Sequence, residues 1–328
     1  MKKRALCGFA CGVLLIAAAA MIALKPGRNE EKHTVSFPAM GTVASLTCYT
    51  DSETFRKALE ALRKEFDKVE RIASLHKADS ELSRLNKEAA QRAFVCSVEM
   101  WAILTEARRA YHLSEGAFDV SVAPLMVHWG FYRKRSEAPA QAETEKVKAL
   151  TGLDKILFDD AGKTVKFPRA GFALDLGGIA KGYAIDKAFQ TITGMGIRRG
   201  VIDLGGNLRL LPLPPPGQKC YKIGIRRPVR KNGGVMPEVL HLPGNRAVSS
   251  SGDYARYVKL SGKLYGHIVD PATGIPAPGE RAVTAVAVCG MTSDWLSTAV
   301  YLRGKTMAQK LEKQLDHTRF VIIEKGKF

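Results

Sequence analysis

The chain has 328 residues, 46% of them apolar and 25% charged, a balance that excludes a disordered, collagen-like or polytopic membrane protein. Six cysteines are too few for a disulfide scaffold. Fifty Lys and Arg against 32 Asp and Glu give a net charge of +18, which fits either an anionic partner or a generally basic surface; no run of five or more basic residues marks a nucleic-acid-binding tail, so nucleic acid is not an expected partner.

Lys2, Lys3 and Arg4 precede twenty uncharged, mostly apolar residues, Ala5 to Leu24, closed by Lys25-Pro26-Gly27. A helix of that length just crosses a hydrocarbon core of about 30 Å, and the basic residues favour the cytoplasmic side, which sends the rest of the chain outward. Residues 1–24 therefore read as a membrane anchor or as a signal peptide cut near Ala20 to Ala23. The expected location is exported: the periplasm or the outer face of the cytoplasmic membrane. Cys7 and Cys11 lie too early in the run to read as lipid-attachment sites. Residues 25–35, including the polar stretch Asn29 to His33, read as a linker, and residues 36–328 as one catalytic domain.

A strand signal runs from Thr34 to Thr50, broken at Pro38 and Gly41. Asp51-Ser52 then caps a helix on which Phe55, Leu59, Leu62, Phe66, Val69 and Ile72 recur every three or four residues. Further helices are expected from Val98 to His112 and from Ile179 to Thr193, the latter stopping near Gly194 and Gly196. Strands are expected at Gly200–Leu211, Tyr221–Ile225, Val283–Cys289 and Arg319–Glu324. Pro212, Pro214, Pro215 and Pro216 form a stiff loop, and Lys231-Asn232-Gly233-Gly234 a turn. Strands and helices mix without a strict βαβ rhythm, which predicts an α+β fold. Cys48, Cys96, Cys220 and Cys289 form no CxxC pair, so a zinc knuckle is not expected; in an oxidising compartment one disulfide is open to them, the alternative being that most are small buried hydrophobes.

Familiar nucleotide and hydrolase motifs fail. Gly162-Lys163-Thr164 and Gly304-Lys305-Thr306 end like phosphate loops, but Leu157 and Ala299 stand where the first glycine is required. No GxGxxG follows a strand, and neither GxSxG nor HExxH occurs. Three other segments carry unusual detail. In Asp175-Leu176-Gly177-Gly178-Ile179-Ala180-Lys181-Gly182-Tyr183, glycines at a helix entry let backbone approach a ligand, free amides suit an anion, and Lys181 can pair with a phosphate. A tight turn packing a helix on a sheet explains the same glycines. In Gly266-His267-Ile268-Val269-Asp270-Pro271-Ala272-Thr273-Gly274, His267 precedes a turn and is either functional or structural. Asp294 and Thr298, at i and i+4 with Asp294 at the start of a helix, offer two oxygens suited to Mg²⁺, or a cap followed by a buried threonine.

Together these segments resemble one family. Met40-Gly41-Thr42, the stretch Ser80 to Asn86, Gly116-Ala117-Phe118-Asp119-Val120, His128-Trp129-Gly130-Phe131, the DLGGIAKGYAID segment ending at Asp186, Leu204-Gly205-Gly206-Asn207, Ser250-Ser251-Gly252-Asp253-Tyr254, the HIVDPATG segment and the Asp294/Thr298 pair occur in its order. The chain resembles the ApbE-type FAD:protein FMN transferases over about residues 36 to 305. The resemblance implies Mg²⁺ held by a backbone carbonyl of Gly178 or Ala180 with Asp294 and Thr298, and Ser297 as a helper. It implies FAD contacts from Met40, His76, Ala117, Phe118, Asp119, Asp175, Lys181, His267 and Ile268. It implies transfer of FMN from FAD to a Ser or Thr hydroxyl of an exported acceptor protein, such as a subunit of a membrane redox complex, with release of AMP. His267 is the candidate base. One departure stands out: Ser74-Leu75-His76 replaces a Ser-Thr-Tyr of the family, so His76 stands where an aromatic is expected. A Mg²⁺-dependent FAD pyrophosphatase and a non-catalytic flavin-binding protein are the alternative readings.

Overall fold

The computed structural model describes residues 30–225, 238–252, 257–279 and 281–324. The apolar run Ala5 to Leu24, the Lys231-to-Gly234 turn and the Asp253-Tyr254 pair lie outside the described residues.

The chain begins with a hairpin, β1 (Glu31–Ala39) and β2 (Thr42–Thr50), turned at Met40 and Gly41 with φ of 47° and 70°. Two expectations are corrected here. Pro38 does not break β1, because β1 is an edge strand and a missing N–H toward solvent costs nothing there. Glu31 to His33, expected within the linker, are the solvent-facing start of that edge strand. Asp51 then caps α1 (Ser52–Ala73): its Oδ1 accepts from the Thr54 amide at 2.9 Å and its Oδ2 from the Thr54 hydroxyl at 2.8 Å. Phe55, Leu62, Phe66 and Val69 bury the apolar stripe of α1.

Next come α2 (Glu81–Glu88), β3 (Phe94–Val95), α3 (Val98–Leu113), α4 (Ala123–His128), α5 (Gln141–Lys148), β4 (Leu157–Asp159), β5 (Thr164–Lys166) and α6 (Ala180–Gly194). The remainder is β6 (Gly200–Leu204), β7 (Asn207–Leu210), β8 (Tyr221–Gly224), β9 (Val239–Leu242), β10 (Ala247–Gly252), β11 (Tyr257–Leu260), β12 (Lys263–Gly266), β13 (Arg281–Ala287), α7 (Gly290–Arg303), α8 (Lys305–Gln314) and β14 (Arg319–Glu324). The strand expected over Gly200–Leu211 is two strands, folded back at Gly205 and Gly206, whose φ of 63° and 90° suits glycine. Gly162-Lys163 turns β4 into β5, and Gly304 joins α7 to α8. Neither leads from a strand into a helix, so neither is a phosphate loop.

Seven strands form one sheet in the order β1-β2-β6-β7-β10-β13-β14, every neighbouring pair antiparallel. An antiparallel sheet with its main helices on one face is an α+β arrangement. The main core lies between that sheet and α1, α3, α6 and α7, with Leu46, Leu62, Ile185, Ile202 and Trp295 fully buried. Along β13, Val283, Ala285 and Ala287 face this core, while Val286 faces a smaller one under the β8–β9 hairpin. Burial on both faces is why β13 reads as a continuous apolar run. A third cluster joins α4 to the β11–β12 hairpin through Leu125, Trp129 and Leu260. The four described cysteines are free; Cys48 and Cys96 are buried, and desolvation pushes each thiol up to about 12. Among the described residues no helix is long and apolar enough to cross a membrane.

Candidate active site

The site is built where α6 and α7 cross. A Cβ added at Gly182 would lie 2.3 Å from the Gly290 carbonyl oxygen, and one at Gly290 would lie 2.4 Å from that of Gly182, so the two backbones touch. This approach brings Asp294, on the second turn of α7 rather than at its start, beneath the first turn of α6. The Gly182 amide donates to Asp294 Oδ2 at 2.9 Å. In a continuous helix that amide would go to the Gly178 carbonyl. The next amide, Tyr183, does bond Ile179 in the regular way. The Gly178 carbonyl is thus left without the donor that a continuous helix would bring to it.

The other oxygen, Asp294 Oδ1, faces Lys181, whose Nζ lies 3.8 Å away and donates to the Gly177 carbonyl at 2.9 Å. A Cβ added at Gly178 would stand 3.8 Å from Thr298 Oγ1 and 2.9 Å from the Phe118 ring, so Gly178 is the residue that lets the loop lie flat on Phe118 beside Thr298. Ser251 of β10 shares hydrogen bonds with the hydroxyls of Ser297 (2.7 Å) and Thr298 (3.2 Å), and Ser297 also donates to the Asp294 carbonyl at 2.8 Å. Gly178, Lys181, Asp294 and Thr298 therefore converge, with Ser297 and Ser251 behind them. Ala180 opens α6 and is 4% exposed, its carbonyl falling to the ladder of the helix. The donor set is one carboxylate oxygen, one hydroxyl and one carbonyl freed from its helix. Hard oxygens of this kind suit Mg²⁺ and offer nothing soft to a transition metal. Among the described residues no three His, Cys, Asp or Glu side chains gather into a metal cluster.

Of the flavin-contact candidates, Phe118 and Asp175 are joined to this point by direct contacts and His76 through Tyr132, whereas Met40 and His267 sit on separate turns. Asp175 accepts from the Gly177 amide through Oδ1 at 2.8 Å and from the Tyr132 hydroxyl through Oδ2 at 2.5 Å. The exposed His76 meets the Tyr132 ring edge-on, with centroids 5.5 Å apart. Ala117 and Phe118 are buried, Phe118 tilted against Trp295 of α7 at 6.3 Å. Asp119 is 7% exposed and caps a 3-10 turn: its oxygens accept from the Ser121 and Leu153 amides at 2.7 and 3.3 Å, and burial raises its pKa. Its carboxylate is committed inward. Met40 occupies the β1–β2 turn, against which the Gly205 turn closes through the Gly205 amide to Val43 carbonyl bond of 3.0 Å.

His267 follows β12, half-buried, and the buried Ile268 enters the main core. The turn forms as its composition indicates: the Gly274 amide donates to the Asp270 carbonyl at 2.7 Å, Gly274 has φ of 71°, and Trp129 Nε1 donates to the Gly274 carbonyl at 2.7 Å. Asp270 is held by Arg303 in a bidentate pair at 2.8 and 2.9 Å. Arg303 ends α7, so the His267 turn is tied to the helix that carries Asp294 and Thr298. Asp119 and Asp270 are both held by partners within the protein, Asp119 by two amides and Asp270 by Arg303. Sequence reasoning gave no role to Tyr132, Ser251, Asp186 or Arg303; the first three lie within or beside quoted motifs, but nothing in their spacing pairs them with Asp175, Thr298 or the start of α7.

A family model described as the ApbE family matches residues 40–322. The chain is 32% identical over 303 residues to the FAD:protein FMN transferase of Vibrio cholerae serotype O1, covering 89% of this chain and 87% of that protein. It is 29% identical over 322 residues to the Haemophilus influenzae FAD:protein FMN transferase, covering 94% and 92%. Among solved structures, the flavin transferase ApbE from Vibrio cholerae superposes with a TM-score of 0.76 at 29% identity, covering 91% of this chain and 95% of that one. The ApbE protein from Thermotoga maritima superposes with a TM-score of 0.80 at 29% identity, covering 90% and 97%.

Proposed function

Since the chain belongs to the ApbE family, we propose that it is a Mg²⁺-dependent FAD:protein FMN transferase that moves FMN from FAD to a Ser or Thr hydroxyl of an exported acceptor protein and releases AMP. The observation that carries the finer reading is that the Lys181 ammonium lies 3.8 Å from Asp294 Oδ1 and that Gly178 lies beside Thr298, one turn along α7 from Asp294. The oxygens offered where α6 meets α7 are thus Asp294 Oδ1, Thr298 Oγ1 and the Gly178 carbonyl left without the Gly182 amide. Those three oxygens would hold Mg²⁺, which when bound supplies charge neutralisation to the FAD diphosphate. Lys181 adds a second cation for the same phosphates. Asp175, oriented by Tyr132 and the Gly177 amide, accepts hydrogen bonds from the nucleotide. His267 takes the proton of the acceptor hydroxyl as its oxygen attacks the FMN-side phosphorus. The bond from that phosphorus to the bridging oxygen breaks, and AMP leaves with the bridging oxygen. The N-terminal apolar run supports an acceptor on the outer side of the membrane.

The test is incubation of the protein with labelled FAD, Mg²⁺ and candidate exported flavoproteins, followed by mass analysis. The expected result is a covalent FMN adduct on an acceptor Ser or Thr, with AMP formed in equal amount. FMN and AMP released equally with and without acceptor would make the protein a pyrophosphatase instead. FAD left intact in the presence of Mg²⁺ would make it a binding protein.

A further inference from the structure

Neither of the two crossing helices caps itself. Ile179 before α6 and Cys289 before α7 make no side-chain cap hydrogen bond, although the first amides of any helix need acceptors. Each helix instead receives its cap from the other. Asp294 of α7 accepts the Gly182 amide of α6. Asp186 of α6 accepts two amides of α7, Gly290 at 2.7 Å through Oδ1 and Met291 at 2.9 Å through Oδ2. The exchange is reciprocal and closes around the Gly182–Gly290 backbone contact.

We propose that Asp186 is a positioning residue for the metal-binding carboxylate: by holding the first turn of α7 in register with α6, it keeps Asp294 Oδ2 on the Gly182 amide and presents Oδ1 to the metal. This rests on the Mg²⁺ reading above. A slide of α7 by one residue moves it about 1.5 Å, enough to break both Asp186 bonds and the Gly182 bond together. Arg209 of β7 completes the device. Its Nε lies 3.2 Å from Asp186 Oδ1, and its guanidinium stacks 4.0 Å over the Phe189 ring, 7% exposed. Burial raises the pKa of Asp186, and the Gly290 amide, Arg209 and the Met291 amide oppose that rise. A buried carboxylate with two amides and a guanidinium is rigid, as a support for a ligand-bearing helix must be.

The experiment compares wild type, Asp186→Asn and Arg209→Gln by two readouts: the rise in Tm on adding Mg²⁺, and the exchange rate of the Gly182 amide followed by NMR without metal. Asn keeps the volume of Asp but brings only one acceptor to two amides. Asp186→Asn is expected to raise the Mg²⁺ concentration giving half the Tm rise by about ten- to a hundredfold, the usual effect of losing an outer-shell partner. It should also speed exchange of the Gly182 amide, although that amide bonds Asp294 and not the Asp186 carboxylate. Arg209→Gln should move both in the same direction by less, and decides the matter should Asp186→Asn fail to fold. A variant with lower Tm but a wild-type Mg²⁺ midpoint and wild-type Gly182 protection would overturn the proposal, making the pair a purely structural staple. If wild type itself shows no Mg²⁺-dependent Tm, the metal reading fails, and Gly182 exchange still decides the coupling between the caps.

Discussion

Asp294 has two carboxylate oxygens with two different tasks, and the division is set by its neighbours. Oδ2 belongs to the Gly182 amide, and Oδ1 faces Lys181 and the Gly178 loop. The i, i+4 spacing made the Asp294/Thr298 pair legible in the sequence, because helix geometry alone puts such residues on one face. Tyr132 and Asp175, 43 residues apart, share no period, so their contact could not be read from spacing. His267 is the residue whose role most needs a measurement. If it is the base, His267→Ala should bind FAD with near wild-type affinity, since on the proposed reading Asp175, Lys181 and the metal-holding oxygens would hold the nucleotide independently of the imidazole. FMN transfer should fall by about 10²–10⁴-fold. If it is a turn residue, Tm and FAD affinity should fall together with rate. Affinity, Tm and single-turnover rate on the same variant separate the two, and a folded His267→Ala protein transferring at wild-type speed would remove it from the mechanism.

At the scale of elements, legibility follows exposure. α1 has one wet face and one buried face, so its apolar stripe shows in the sequence to within a residue of its ends. α7 is buried almost all round from Thr292 to Tyr301, has no stripe, and shows in the sequence only through its ligand spacing. β10 carries Ser249 and Ser251 on the face toward α7, where they bond to Ser293 and Ser297; a polar seam inside a fold looks like a loop in a sequence. The α6–α7 crossing depends on two glycines in a way no single-helix pattern reveals. Gly182→Ala would place a methyl 2.3 Å from a backbone oxygen, so the helices must separate. Overpacking of this kind typically costs about 1–3 kcal/mol or more, and here it should also remove the Gly182–Asp294 bond. Gly194, at the end of α6, has nothing within 4 Å of its added Cβ. Gly194→Ala should raise stability by roughly 0.5–1 kcal/mol. Calorimetric Tm values with opposite signs for the two substitutions are the expected result; a tolerated Gly182→Ala would mean that the helices do not meet through backbone.

Across the whole molecule, the first and last strands among the described residues, β1 and β14, are the two edges of the main sheet, so the segment nearest the N-terminal apolar run is also a sheet edge. Only residues 25–30 separate Leu24 from the start of β1, a reach of at most about 20 Å when fully extended. An uncleaved anchor would therefore hold the domain close to the membrane, within range of acceptors fixed there, and the net charge of +15 that remains without Lys2, Lys3 and Arg4 would favour an anionic surface. Among the described residues the first buried side chain of the core is Phe37. Two results should follow. Deleting residues 1–24 should leave a folded domain with unchanged Tm. A reporter fused after Phe328 that is active only outside the cytoplasm should be active in the full-length chain and silent after that deletion. Replacing Lys2, Lys3 and Arg4 with Glu should lower the external signal, because basic flanks set the direction of insertion. A full-length fusion active only with a cytoplasmic reporter would put the domain on the other side of the membrane and remove exported proteins as acceptors.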